Sequence, residues 1–236
     1  MASNYIDKEQ ESVNKTFAGE KAKLSTMSFK EKLDYIWAYY KLHIFVVLMI
    51  IGVLGWGIHH ALTYVQYKFF GMVINSSQYS TEVEEQMHDI LGMEKHDGFS
   101  LTADLYTDEA YNMGGYGNKL DIYIMAGQLD FAFTDEEGIK HLVDMGAVRD
   151  LKDTVPDELL SKWQSEDLLY SMEVTDDDGL TATYDVAVDI SGSPIHEYFG
   201  LDANTKYLLI AGLSESEEYM NNFYKLLEGI ENGENF

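Results

Sequence analysis

Residues 41–65, KLHIFVVLMIIGVLGWGIHHALTYV, limit what this chain can fold into more than any other stretch. Ile44 to Ile58 holds no charged and no strongly polar side chain, and apolar character resumes after His59 and His60 with Ala61, Leu62, Tyr64 and Val65. About 20 apolar residues are needed to cross the roughly 30 Å hydrocarbon core of a bilayer. Trp56, Tyr64 and Tyr67 suit the headgroup zone, where two neutral imidazoles are also tolerated. No comparably apolar segment elsewhere could surround such a helix inside a protein core. A secretory signal needs a short basic leader and a small-residue cleavage site. Here more than forty mostly polar or amphipathic residues come first, and no A-x-A follows. Residues 42–66 are therefore expected to form an uncleaved transmembrane signal anchor.

Charge orients it. Lys30, Lys32 and Lys41 lie just before the run, and only Lys68 lies close after it. Lys and Arg favour the cytoplasmic side, so the N-terminus is expected inside, with residues 1–27 as a mobile cytoplasmic tail. The first 41 residues carry seven lysines and six acids; the remainder holds a formal charge of −26 of the chain's −25. Such a field repels nucleic acid and anionic surfaces and favours cations or a basic peptide. With no cysteine in the chain, disulfides, thiolate zinc sites and thiol nucleophiles are excluded.

Ser28-Phe29-Lys30-Glu31 has the spacing of a helix-opening capping box. Phe29, Leu33, Ile36, Trp37 and Tyr40 then recur at helical spacing. Residues 28–41 are expected to form an amphipathic juxtamembrane helix, lying on the inner headgroups or docking on an integral-membrane partner through those five residues; the alternative is a plain N-terminal extension of the span.

Residues 67–236 are long enough for one domain with its own core. Phe69–Asn75 reads as a buried strand, Thr81 as the start of a helix with the Thr-x-x-Glu84 box, and 99–106 as a second strand. The glycine-rich 113–117 is a link into a helix ending near Gly127. Strand 129–133 follows, then helices 136–145 and 154–163. A hairpin is expected from 168–174 and 180–190, then a short helix after Ser193-Pro194, strand 206–211 and helix 217–230. Strand–helix alternation implies an α/β sheet with crossover helices.

The stretch KLDIYIMAGQLDFAFTDEEGIKHLVDMGAVRDLKD (119–153) resembles a recurring segment of bacterial extracellular solute-binding proteins. YDVAVDISGSPIHEYFG (184–200) and YLLIAGLSESEEYMNNFYKLLEG (207–229) are similar to that family's later strands and closing helix. With YIWAYYK (35–41) ahead of the span, residues 28–236 resemble single-span proteins of Gram-positive bacteria. Those carry a reduced type 2 periplasmic-binding-protein-like α/β domain outside the cell membrane. The resemblance implies an extracellular, acidic, solute-binding-like domain.

No catalytic signature is present: no G-x-S-x-G, H-E-x-x-H, P-loop or dinucleotide fingerprint occurs. No cofactor, metal site or catalytic residue is expected. Setting Gly179 at the sixth position of a calcium loop puts Val174 first and Asp185 twelfth, where a Glu is needed; residues 176–179 therefore read as a hairpin turn. In open α/β sheets ligands bind beyond the carboxyl ends of the strands. That rule selects Asn75, Ser76, Tyr106, Thr107, Thr134 and Asp135, with Tyr111 and Tyr116 as covers. The expectation is a non-enzymatic, membrane-anchored, ligand-sensing or accessory subunit of a membrane complex, with a transporter as one such complex. The alternatives are a structural adaptor that only docks a protein partner and, behind it, a surface hydrolase using paired acids.

Overall fold

Ser28 accepts from Glu31 N (3.5 Å), and the Glu31 carboxylate accepts from Ser28 N (2.8 Å), so both halves of the expected capping box form. They open α1 (Phe29–Thr63), a continuous helix. The computed structural model describes residues 19, 21, 22, 24, 25, 27–108, 119–175, 179, 181–214 and 216–234; most of the expected tail lies outside them. The sequence left residues 28–41 either a separate juxtamembrane helix or an extension of the 42–66 span. The structure runs them as one helix, because no glycine or proline interrupts 28–51 and nothing else offers a kink. Within α1, Tyr40–Thr63 is long and apolar enough to cross a membrane, and none of its apolar window is buried. Its 24 residues span about 36 Å at 1.5 Å each.

The second unit, Val65–Phe236, is a mixed α/β fold. Its strands are β1 (Gln66–Ile74), β2 (Asp97–Leu105), β3 (Phe131–Thr134), β4 (Leu169–Thr175), β5 (Thr181–Asp189) and β6 (Tyr207–Ile210). Its helices are α2 (Thr81–Ile90), α3 (Lys119–Met125), α4 (Glu136–Asp144), α5 (Leu151–Thr154), α6 (Asp157–Ser165), α7 (Pro194–Tyr198) and α8 (Glu217–Glu231). The sheet order is β2-β1-β3-β6-β5-β4. β1 is parallel to both β2 and β3, whereas β3–β6, β6–β5 and β5–β4 are antiparallel.

Side chains alternate across a strand, and that period builds two cores. Phe69 and Val73 of β1, Phe131 and Phe133 of β3, and Leu208 and Ile210 of β6 face one side. There they meet Met87 of α2, Trp163 of α6 and Phe223 of α8. Met72 and Ile74, Ala132 and Leu209 face the other side, against Leu120 and Ile124 of α3 and Ile139 and Leu142 of α4. Helices thus cover both faces, as a sheet with buried central strands requires.

The expected helix 154–163 starts three residues later, at Asp157 of α6, and Thr154 instead closes the short α5. Val155 is extended (φ −90°, ψ 141°) and Pro156 serves as the N-cap of α6, since the residue before proline is driven from helical angles. The expected box at Thr81 also fails. Ser80 is the N-cap without a side-chain bond, and Glu84 instead accepts from Tyr79 Oη (2.9 Å) and Leu101 N (3.3 Å). The hairpin forms between β4 and β5, with most of its turn outside the described residues.

One buried ionic contact ties α8 to the start of β2. Tyr219 donates to Asp97, which is 6 % exposed, and Lys68 Nζ lies 3.0 Å from the same carboxylate. The Tyr219 hydrogen bond, then Lys68, hold the Asp97 carboxyl below its ordinary value. A depressed carboxylate contributes stability above its unfolded pKa, near 3.9, and loses it as pH falls through the folded value. Tyr219→Phe is expected to cost about 1.5–3 kcal/mol at neutral pH. The difference from wild type should narrow below about pH 4, as read by urea melts across pH.

Candidate functional site

In the parallel half of the sheet the chain leaves β1 toward β2 and returns across it to β3, a topological switch of the kind that marks ligand crevices. Asn75 follows β1 and Asp135 follows β3. Asn75 takes a left-handed conformation (φ 61°), which asparagine adopts more readily than most residues. That turn aims its amide across the strand ends. Nδ2 donates to Asp135 Oδ1 (2.8 Å), and Oδ1 accepts from Thr107 N (2.9 Å) and Thr107 Oγ1 (3.1 Å). Asp135 Oδ1 also accepts from Gly138 N (2.9 Å), capping α4. Ser76 donates to Asp202, whose other oxygen accepts from Asn204 N (2.7 Å) and Thr205 N (3.1 Å).

Of the residues chosen from sequence, the structure therefore brings Asn75, Thr107 and Asp135 into one network and gives Ser76 an aspartate partner. Tyr106 turns toward Asp104 (3.4 Å). Thr134 is fully buried, its carbonyl accepts from Lys206 N (2.9 Å), and its hydroxyl packs on Gly138. Tyr111 and Tyr116 lie outside the described residues. The Thr134 hydroxyl is buried without a hydrogen-bond partner among the described residues, whereas Asn75, Thr107 and Asp135 bond to one another, so that network locks the strand ends. A Cβ on Gly138 would stand 1.9 Å from Thr134 Oγ1 and 3.2 Å from Ile74 Cγ2. Gly138→Ala should thus cost about 1–3 kcal/mol by overpacking. Thr134→Ala should return most of that loss in a double-mutant cycle, measured by urea denaturation.

A cavity of about 560 Å³ lies elsewhere, between α5, the end of β6 and the first turns of α8. Asp130, Arg149, Asp153, Glu217, Met220 and Tyr224 are among its walls. Asp130 is 1 % exposed. Its carboxylate accepts from Phe70 N (2.8 Å), Ser214 N (3.1 Å) and Ser214 Oγ (2.7 Å). Its carbonyl accepts from Ala211 N (2.8 Å) and Gly212 N (2.9 Å). Burial pushes the Asp130 carboxyl above its ordinary value, against the Ser214 and Phe70 hydrogen bonds and the charge of Arg149. Burial likewise pushes the Tyr224 hydroxyl up to about 12.

Sequence reasoning missed this cavity. Its clearest sign there is Arg149, the only arginine in the chain. The walls come from residues 130 to 224, so no local spacing joins them. His141 Nε2 lies 2.7 Å from Asp121 Oδ1 and ties α4 to α3. Among the described residues no group of His, Asp and Glu has metal-ligand geometry.

On α1, Phe29 (79 % exposed), Leu33 (53 %), Ile36 (37 %), Trp37 (67 %) and Tyr40 (39 %) are all open. Further along, His60 stacks on Trp56 (5.7 Å) and meets Tyr64 edge-on (5.8 Å). No protein family, curated protein or solved structure matches the chain.

Proposed function

We propose that this chain is a single-span membrane protein, N-terminus in the cytoplasm, whose outer α/β domain acts as a ligand-sensing or accessory subunit of a membrane complex. The observation that carries the reading is α1. It exposes a 24-residue apolar surface, while the domain beyond it has a complete core of its own. Contiguous apolar surface of this extent calls for lipid or protein cover. Lys30, Lys32 and Lys41 before the span, with only Lys68 close after it, favour the domain outside. A parallel β2-β1-β3 half beside an antiparallel β6 suits the reduced solute-binding-like lobe that the sequence resembles. Phe29, Leu33, Ile36, Trp37 and Tyr40 are the side chains offered to an integral-membrane partner. The reading is tested by purifying the tagged full-length protein from native membranes in gentle detergent, with proteins and small molecules identified together by mass spectrometry. A stoichiometric membrane partner or a retained solute supports it; an empty, partnerless protein would sink it.

The self-satisfied network of Asn75, Thr107 and Asp135 favours a second reading, in which the outer domain is a docking adaptor without a working crevice at the strand ends. A solute bound at those residues would rule it out.

A further inference from the structure

We infer that the cavity between α5, α8 and the end of β6 is a binding site for a small zwitterion, a molecule that carries one carboxylate beside one protonated amine. The site stands apart from the switch point, and it rests on the reading of the outer domain as a binding module. Its volume, about 560 Å³, falls within the roughly 300–1,000 Å³ of small-molecule pockets.

Arg149 selects the carboxylate. The chain has 41 acidic residues and one arginine, yet among the described residues the Arg149 guanidinium joins no ion pair or hydrogen bond. Four of the domain's lysines, Lys68, Lys140, Lys152 and Lys162, contact an acid within 3.0 Å. Arg149 is exposed, so its guanidinium is open to a ligand arriving from solvent, and its planar fork matches a bidentate acceptor in geometry and charge. The adjacent helix start adds donors of the same sign. α8 is 15 residues long, and its N-cap, Ser216, gives its hydroxyl to Lys68 O (2.7 Å) instead of capping the first turn.

The acidic walls select the amine. Asp130 is spoken for by Phe70 and Ser214, so it forms wall and not ligand contact. Asp153 and Glu217 are exposed and line the same space. The two exposed carboxylates, Asp153 and Glu217, against one guanidinium leave the open lining net negative, which disfavours an inorganic phosphate or a dicarboxylate and favours a ligand that brings its own cation. Met220, half-buried on the lining, gives the remaining surface an apolar part for a side chain.

The test uses the full-length chain in lipid nanodiscs, titrated calorimetrically with each of the standard α-amino acids and with inorganic phosphate. The best binder is then compared with its deaminated acid and its decarboxylated amine. At least one amino acid is expected to bind, with both truncated compounds weaker by about 10-fold or more. Arg149→Gln should weaken it by about 10-fold or more, with Arg149→Lys between the two. Met220→Trp, which fills the cavity, should remove binding, with the fold of the variant checked by circular dichroism. Three results would overturn the site: no amino acid bound below about 1 mM, phosphate or the bare carboxylic acid bound as well as the amino acid, or binding untouched by both Arg149→Gln and Met220→Trp. Alkaline extraction of the same membranes is read separately; release of the protein there would count against the membrane reading and leave the site as it stands.

Discussion

Phe131→Ala is expected to destabilise the outer domain by about 3–5 kcal/mol, the range for deleting a buried phenyl ring. Phe131 is fully buried at the centre of the sheet. Its ring stacks on Phe223 (4.2 Å between centroids) and on Phe99 (6.1 Å), and meets Phe69 (5.7 Å), Phe133 (5.4 Å) and Phe199 (6.5 Å) at steeper angles. One residue therefore joins β1, β2, β3, α8 and the end of α7. Gly71 makes room for it, since a Cβ there would stand 2.4 Å from Phe131 Cζ. The five surrounding rings cannot collapse into a phenyl-sized void without moving strands, so the cost belongs at the upper end of the range. A domain of this size is stable by only about 5–15 kcal/mol, so the variant should unfold at markedly lower urea. Trp163, the only tryptophan beyond residue 64 and fully buried, reports the transition by fluorescence once Trp37 and Trp56 are replaced by phenylalanine. A midpoint unchanged by Phe131→Ala would contradict the aromatic core.

Placing two arginines in the middle of α1 is expected to have a comparable effect on membrane insertion. Ile51 and Leu54 sit near the centre of Tyr40–Thr63, 59 % and 60 % exposed. An arginine at the centre of a spanning helix costs about 2.5–3.5 kcal/mol on the insertion scale. Ile51→Arg with Leu54→Arg should thus oppose insertion by about 5–7 kcal/mol. The double variant should move from the alkali-resistant membrane fraction to the soluble or degraded fraction. The pair Ile51→Leu and Leu54→Ile, which keeps the apolar surface, should stay in the membrane. Full retention of the arginine variant would mean that α1 is not held by hydrocarbon.

What the sequence disclosed and what it hid follow from the range of the interactions. The apolar run at 44–65, the Ser28 box and the 3.6-residue stripe of α8 are local patterns. The structure forms α1 with its box and α8 with Tyr219, Phe223, Leu226 and Leu227 buried. Strand boundaries came within a few residues because FFGMVIN and LDFAF are dense in buried apolar side chains. The break at Val155-Pro156 was readable in principle from the proline alone, but the apolar pattern ran across it. Glu84 looked like a cap because Thr81 precedes it by three, and the neighbouring strand won it through Leu101 N and Tyr79. The antiparallel β6 between β3 and β5 depends on pairings such as Phe133–Leu208, far apart in sequence, and no local periodicity encodes that order. The same reason hid the cavity, whose arginine and acids come from separate elements. At the switch point, the rule about strand ends brought Asn75, Thr107 and Asp135 together. It could not reveal that they would bond to one another.

The central claim is that α1 crosses the membrane with residues 28–41 inside and the α/β domain outside. The chain contains no cysteine, so single thiols report sidedness without background. Ser25→Cys and Ser191→Cys, both at exposed positions, would be treated in intact cells with a membrane-impermeant maleimide, then again after lysis. The account predicts that Ser191→Cys labels in intact cells and Ser25→Cys only after lysis. Labelling of Ser25→Cys alone, of both thiols, or of neither before lysis would contradict it.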